Sequence, residues 1–317
     1  MSSILQTIGT VFALISSFLG ALYWLGGDLI LSGFISAVLV IVLYFIVDQL
    51  VRRKVEVRKQ RFGPVALVLW AGYALVSLPL SLLLLHSLNV EIFHRTEVQQ
   101  AAAEKIAALN GMTQAYKAQV EAELNTQQTE LVRLLLAYVQ KKGGTAAADT
   151  VLTSPPFSLS PGILANLDPN SAQQDAQLWR SARQAVFDKA QVAATDRAKA
   201  YRKDKEQVFT DWHRLKVPLA YAELDTLVAT NLSELQASYA VNTATPDTTF
   251  NYELPQVPML MAEPLALWRR TTPYALLLAL IAFHALLLLP FLIEKGAGSY
   301  IVTRDTLQEH FPEAFEL

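Results

Sequence analysis

Long unbroken apolar runs at both ends of the chain enclose one long polar stretch of helix-forming residues. Residues 4–25 form the first run, about 33 Å as a helix, enough to cross a hydrocarbon core of about 30 Å. It has no basic leading segment and no small-residue cleavage site ahead of a polar start, so it reads as a retained span and not a cleaved signal. Gln6, Thr10, Ala13, Ser17 and Gly20 recur along it in steps of four and three, which puts small or weakly polar residues on one helical face. Such a face suits membrane packing, because small side chains let backbones approach closely. Gly26, Gly27 and Asp28 spell a tight turn, and residues 29–47 form a second, uncharged run. Ser32 with Ser36, and Gly33 with Ala37, supply small-xxx-small pairs to meet the first stripe. Residues 1–50 are therefore predicted to be a transmembrane hairpin, with Tyr23, Trp24 and Tyr44 at headgroup level.

The third run, residues 64–88, carries Trp70, Tyr73 and a central Pro79, and ends at His86, which reads as an interfacial polar group. The fourth, residues 273–293, follows Trp268 and ends before Glu294, Lys295 and Gly296. Between them the pattern changes to helical three-four spacing: Ile106, Leu109, Met112, Tyr116, Val120 and Leu124, then Leu131, Leu135 and Tyr138. A single helix over 88–142 would extend about 80 Å, so the segment is either a stalk or a hairpin broken at Asn110-Gly111. Residues 143–170, with glycines, prolines and small polar residues, read as a connector that reverses the chain. A second long helix is expected over 171–216, capped by Asp168 or Asn170, with Leu178, Ala182, Ala185, Val192, Val208 and Trp212 on its apolar side. Pro218 interrupts, and 219–239 reads as a third helix with Leu224, Leu227, Val228, Leu232 and Leu235 inward. Residues 241–263 are irregular or strand-like by pattern and receive no assignment. Residues 294–317 form a short acidic tail.

The fold class predicted is thus all-α: four transmembrane helices, with a long-helical, coiled-coil-like extramembrane domain over 89–272 inserted between spans three and four. Its orientation follows from residues 51–63. Arg52, Arg53, Lys54, Arg58, Lys59 and Arg61 stand there against a single Glu56, which makes this a topology anchor and lipid-contact segment on the cytoplasmic side. Both termini are then cytoplasmic, residues 89–272 extracytoplasmic, and a bacterial cytoplasmic membrane the expected location. Arg269 and Arg270, just before the fourth span, oppose this with two charges against six. Asp48, four residues before Arg52, is expected to pair with it at the interface.

Composition supports the membrane assignment. Apolar residues make up 52% of the 317 and charged residues only 17%, where soluble domains carry about a quarter. Mean hydropathy is +0.29. A net charge of -2 argues against a nucleic-acid partner, which needs a basic surface. The absence of cysteine removes disulfides, thiol chemistry and cysteine-ligated metals.

Candidate chemistry is sparse. His284 sits mid-way along the fourth run, where an ionisable group prompts a relay or ligand-contact hypothesis, set against a helix-bridging hydrogen bond. Glu91-x-x-His94 has half the spacing of a di-iron motif and no second half, so helix-surface pairing is the expectation. Gly296-Ala297-Gly298-Ser299 follows a membrane helix with no strand before it, which disfavours a phosphate cradle. Asn231-Leu232-Ser233 matches a glycosylation sequon inside a predicted helix. No phosphate-loop, hydrolase-elbow or zincin motif is present, so no cofactor and no enzymatic activity are expected.

The layout of three spans, a long helical insertion, a fourth span and a short tail, including Leu78-Pro79-Leu80 and the helix after it, resembles uncharacterised bacterial four-span membrane proteins with a coiled-coil insert. That resemblance implies no known activity. The expected role is a non-enzymatic scaffold, sensor or accessory subunit, contacting the lipid bilayer and forming a homo-oligomer or binding a membrane or extracytoplasmic protein through Ile106, Leu109, Met112, Tyr116, Val120, Leu131 and Leu135. The alternative is a transporter or channel subunit using His284 and the polar face of the first span. Helix packing in the membrane is expected at Thr10, Ala13, Ser17, Gly20, Ser32, Gly33 and Ser36.

Overall fold

The computed structural model describes residues 2–56, 64–140, 146–243, 249–255, 261, 264–270 and 273–293. Among them the chain is helical with no strand. It divides into two compact units: residues 1–99, 213–220 and 259–317, and residues 100–212 and 221–258.

The first unit is a helical bundle of α1 (Ser2–Trp24), α2 (Leu29–Glu56), α3 (Pro64–Leu88) and α10 (Pro273–Ile293). Among its described residues three stretches are long and apolar enough to cross a membrane: Thr7–Trp24, Leu29–Lys54 and Pro64–Phe93. Local chemistry sets the helix ends. Gly26 and Gly27 adopt positive φ of 63° and 92°, and the Gly27 N–H donates to the Leu22 carbonyl at 2.9 Å, closing α1 with a left-handed cap. Asp28 then caps α2, its carboxylate accepting the Leu31 N–H at 2.9 Å. Proline opens α3 and α10, where its fixed φ and missing N–H cost nothing. α2 runs on to Glu56, so Arg52, Arg53 and Lys54 stand on a helix and not in a loop. Asp48 and Arg52 pair at 2.8 Å one turn apart on it, as their spacing led us to expect.

Four helices share one core. Ala13, Val40, Leu43, Val47, Leu50, Tyr73, Leu80, Leu84, Phe283 and Leu287 are buried together. Phe12 packs on Phe283, their ring centroids 6.4 Å apart, and Trp70 meets Phe291 edge-on at 5.5 Å. Lys54 Nζ donates to the Phe291 carbonyl at 2.5 Å, satisfying one of the orphan acceptors at the end of α10. The basic end of α2 and the C-terminal end of α10 therefore lie side by side.

α3 continues through Pro79 and then widens into a π-helical turn, Asn89–Phe93, before α4 (Arg95–Gln140). Of the two alternatives for this segment, the break at Asn110-Gly111 is absent and α4 is continuous through it, while an irregularity falls about twenty residues earlier. Gly111 has a packing role instead: a Cβ there would stand 2.5 Å from Tyr252 Oη.

The second unit contains α4 from Gln100, α5 (Ala146–Thr153), α6 (Pro161–Ala165), α7 (Ala172–Thr210) and most of α8 (Val217–Thr243). Its centre is a cluster of rings. Tyr116 meets Phe250 at 5.3 Å, Tyr239 at 6.2 Å and Phe187 at 6.4 Å, joining α4, α8, α7 and the extended segment after α8. The described part of the expected connector is ordered: Leu152, Phe157, Leu159 and Leu164 are buried, and Trp179 Nε1 and Arg183 Nη2 donate to the Phe157 and Pro156 carbonyls. On α7 the inward face differs from expectation. Ala176, Trp179, Phe187, Ala194, Ala198, Tyr201 and Val208 are buried, whereas Leu178 is 62% and Val192 56% exposed. Neither Asp168 nor Asn170 takes the cap position of α7, which Ser171 occupies. α8 starts one residue before Pro218, so the proline opens that helix. Residues 264–270, unassigned by pattern up to 263, continue as the short helix α9 (Pro264–Arg270).

Candidate functional site

His284 lies on α10 facing α3, and its two ring nitrogens are both engaged. Tyr73 Oη is 2.8 Å from Nδ1 and Ser81 Oγ is 3.1 Å from Nε2. Ser81 donates its proton to the Ser77 carbonyl at 2.6 Å, one turn back on its own helix. That fixes the remaining directions. Ser81 Oγ accepts from His284 Nε2–H, so Nδ1 carries the lone pair and accepts from the Tyr73 hydroxyl. A neutral imidazole satisfies every bond in this chain, which runs from Tyr73 through His284 and Ser81 to a backbone carbonyl. The Tyr73 and His284 rings also meet edge-on at 5.9 Å.

The packing residues of the first two spans point inward. Ala13, Ser17, Ser32 and Ser36 are all 0% exposed, while Thr10 and Gly33 are half-buried. At Gly20 α1 and α3 approach closely: an added Cβ would stand 2.5 Å from the Leu83 carbonyl carbon and nearer still to its oxygen. The Ser17 hydroxyl bonds back to the Leu14 carbonyl at 3.2 Å. The Ser32 and Ser36 hydroxyls are buried with no hydrogen-bond partner among the described residues. Thr10, Ala13, Val40, Leu43, Tyr44, Val47 and Leu287 line a gap of about 10 Å³, room for about one water.

A second polar cluster, missed by pattern reading, occupies the far end of the same unit. The π-helical turn aims Glu91 at Tyr23, whose hydroxyl donates to it, and at Arg214, whose Nε lies 3.1 Å away. His94 Nδ1 is 3.2 Å from Glu97. Both residues of the Glu91-x-x-His94 pattern thus have acidic, basic or hydroxyl partners from other positions, and the π turn falls on the pattern itself. His86 is buried at 2% exposure, its Nε2 2.7 Å from the Met261 carbonyl. The available signal was the density of polar residues from His86 to His94 at the end of an apolar run. Among the described residues no three His, Cys, Asp or Glu side chains gather as a metal site would require.

Of the basic segment, Arg52 pairs with Asp48, Arg53 is exposed and Lys54 caps α10 while lying 4.6 Å from the Phe291 ring centre. Arg58, Lys59 and Arg61 lie outside the described residues, as do the tail at 294–317 and its Gly296-Ala297-Gly298-Ser299.

The expected partner seam is occupied by the chain itself. Ile106, Leu109, Met112, Tyr116, Val120, Leu131 and Leu135 are each 6% exposed or less. Their apolar periodicity builds the core of the helical unit, so it offers no free surface to a second molecule. Asn231, the sequon residue, is 0% exposed; it donates to the Ala194 carbonyl at 3.2 Å and accepts from Arg197 Nε at 2.8 Å. Nearby, Lys105, with a side chain 12% exposed, bonds Asp225 and lies over the Tyr221 ring at 4.6 Å. Burial pushes the Tyr221 and Tyr201 phenols well above the usual tyrosine range, and neighbouring carboxylates push the same way, Asp225 and Glu104 on Tyr221, Glu223 and Asp225 on Tyr201.

Compared with protein-family models, curated proteins and solved structures, the chain has no match.

Proposed function

We propose that this chain is an integral membrane protein in which α1, α2, α3 and α10 all cross the bilayer, and that it acts as a non-enzymatic scaffold or accessory subunit through its helical unit. One observation carries the reading: the bundle has its apolar surface outside. Ile30 is 86% exposed, Leu67 70%, Leu75 76% and Leu278 68%, while Ser17, Ser32, Ser36, Ser77 and Ser81 are inside. Water would penalise that distribution and lipid favours it. α10 contributes the same outward apolar face as the other three, which supports its counting as a fourth span.

The basic cluster supports an orientation with residues 51–63 in the cytoplasm and the helical unit outside. The contact of Lys54 with the end of α10 supports a C-terminus on that same side, and the hairpin supports an N-terminus there. Arg270, one of the two opposing charges, faces Glu97 at 3.8 Å. With no native cysteine to interfere, single cysteines at Gln60 and at exposed Gln177 test the arrangement. An impermeant maleimide on intact cells is expected to label Gln177→Cys and spare Gln60→Cys; the reverse inverts the topology. The accessory role predicts a stable protein partner on affinity purification from native membranes in mild detergent. A chain that purifies alone and crosslinks to nothing overturns it.

A second reading, a transport or channel subunit, would have to work through the Tyr73–His284–Ser81 chain. Its closure on a backbone carbonyl with a neutral imidazole fits a structural bridge better than a relay.

A further inference from the structure

Residues 213–220 return from the helical unit to the bundle and are held at its far end. Leu219 lies against the α1–α2 turn so closely that a Cβ on Gly27 would stand 2.5 Å from its backbone nitrogen. Arg214 is fixed to Glu91 and Arg270 of α9 faces Glu97, so both segments are tied to the end of the third apolar stretch. An element pinned to the turn between two spans sits at headgroup depth. There it presents Leu215 at 54% and Leu219 at 43% exposure. At the turn it is pinned to, Trp24 is 53%, Leu29 52% and Ile30 86% exposed.

Acidic groups stand here too, Glu91 and Glu97 each facing an arginine and Asp28 capping α2, but four basic side chains of this segment and of α9 remain exposed. Lys216 and Arg269 are exposed, and Arg214 and Arg270 remain 63% and 54% exposed in their side chains despite their acidic partners. Apolar side chains at the boundary with cations just beyond them are the pattern of an interfacial anchor. We propose that the His213–Leu219 segment and α9 form a lipid-binding collar, with Leu215 and Leu219 entering the acyl boundary and Arg214, Lys216, Arg269 and Arg270 holding phosphates of anionic lipid headgroups in the leaflet on that side. The collar rests on the bundle spanning the bilayer. It gives Arg269 and Arg270 a role on the side where the positive-inside rule disfavours them: they bind lipid there.

The test uses the full chain in nanodiscs of phosphatidylcholine, alone or mixed with phosphatidylglycerol. A bimane dye on Leu215→Cys is expected to be quenched by lipids brominated near the headgroup, and a dye on Leu278→Cys by lipids brominated along the chain. Quenching at 278 without quenching at 215 overturns the collar and leaves the spanning bundle intact; quenching at neither site overturns both. The headgroup assignment is read separately, by native mass spectrometry of phosphatidylglycerol retained from the mixed discs. Lys216→Gln and Arg269→Gln, chosen because neither removes a described ion pair, are each expected to lower retention roughly fivefold. Retention equal to wild type in both variants overturns the headgroup assignment.

Discussion

Gly20→Ala is the most discriminating change to the bundle. The new methyl would stand 2.5 Å from the Leu83 carbonyl carbon and 2.9 Å from its Cα, and both obstacles are backbone. Carbon atoms rest at about 3.5–4.0 Å, so relief requires α1 and α3 to part by roughly 1 Å. A gap of that size forfeits about a quarter to a half of the dispersion energy of each contact it opens. Taking ~40 atom pairs across the crossing at ~0.15 kcal/mol each, the loss is about 1.5–3 kcal/mol, within the usual range for overpacking. Three other glycines serve as controls, because an added Cβ meets only ordinary contacts: 3.6 Å at Gly9, 3.9 Å at Gly33 and 3.5 Å at Gly72. Each alanine there is expected to change stability by less than about 0.5 kcal/mol. Unfolding from mild-detergent micelles by added dodecyl sulfate, followed by tryptophan fluorescence, reads all four variants against wild type. A Gly20→Ala protein as stable as the Gly33→Ala protein would refute the close approach of α1 to α3.

In the helical unit, Lys105→Met and Asp225→Asn should each cost about 2 kcal/mol, and their double mutant should show a coupling of about 1–2 kcal/mol by chemical denaturation, since each single change strands a partly buried charged partner. Strictly additive costs would deny that the two side chains interact. The raised Tyr201 and Tyr221 phenols are protonated in the fold at pH values where the unfolded chain, with an ordinary value of 10.0, begins to lose its protons. Their contribution is therefore complete below about pH 10 and falls as pH rises above it, so thermal stability by circular dichroism should decline there, and less steeply in Tyr221→Phe; an unchanged slope in that variant counts against the burial. In the bundle, Tyr73→Phe and His284→Phe should each destabilise by about 0.5–1.5 kcal/mol with measurable coupling, and leave ion flux in proteoliposomes at the wild-type level. Loss of flux with unchanged expression would favour the transport reading over the scaffold.

Features written into short stretches of sequence could be read there, and features that depend on distant partners could not. The apolar runs, the Gly26-Gly27-Asp28 turn, the Asp48–Arg52 pair and the proline starts of α3 and α10 each involve neighbours within one or two turns, whereas Pro218, read as an interruption, opens α8. Gly111 shows the limit. In a polar helix it looks like a break, yet it is retained because Tyr252, 141 positions later by subtraction, fills the space above it. The faces of α7 show another. Alanine occurs all round that helix, so periodicity could not choose between the Leu178–Val192 side and the Trp179–Phe187 side; the aromatic cluster, contributed by three other segments, made the choice. The π turn escaped notice because an inserted residue leaves composition unchanged and only shifts phase. His284 itself was conspicuous in an apolar run, but Tyr73 and Ser81, more than 200 residues earlier, were needed to show that both its nitrogens are occupied.

The two units handle buried polar groups in different ways, and that difference makes their perturbations separable. In the bundle the hydroxyls mostly fold back on their own helix: Ser17 to Leu14, Ser77 to Ala74, Ser81 to Ser77 and Ser87 to Leu84. Such bonds satisfy a serine without fixing which helix it faces, so register rests on shape, as at Gly20, and on bonds that cross between helices, as between Tyr73 or Ser81 and His284 and between Lys54 and Phe291. In the helical unit the polar contacts cross between elements, as in Asn231 to Ala194, Gln127 to Thr243 and Lys105 to Asp225. Register there is carried by directional bonds around an aromatic core. A glycine substitution should therefore loosen the bundle while the helical unit keeps its melting behaviour, and a charge deletion should do the reverse. A variant such as Lys105→Met that loses a co-purifying partner but stays inserted would thus assign partner binding to the helical unit, independently of how the bundle meets the lipid.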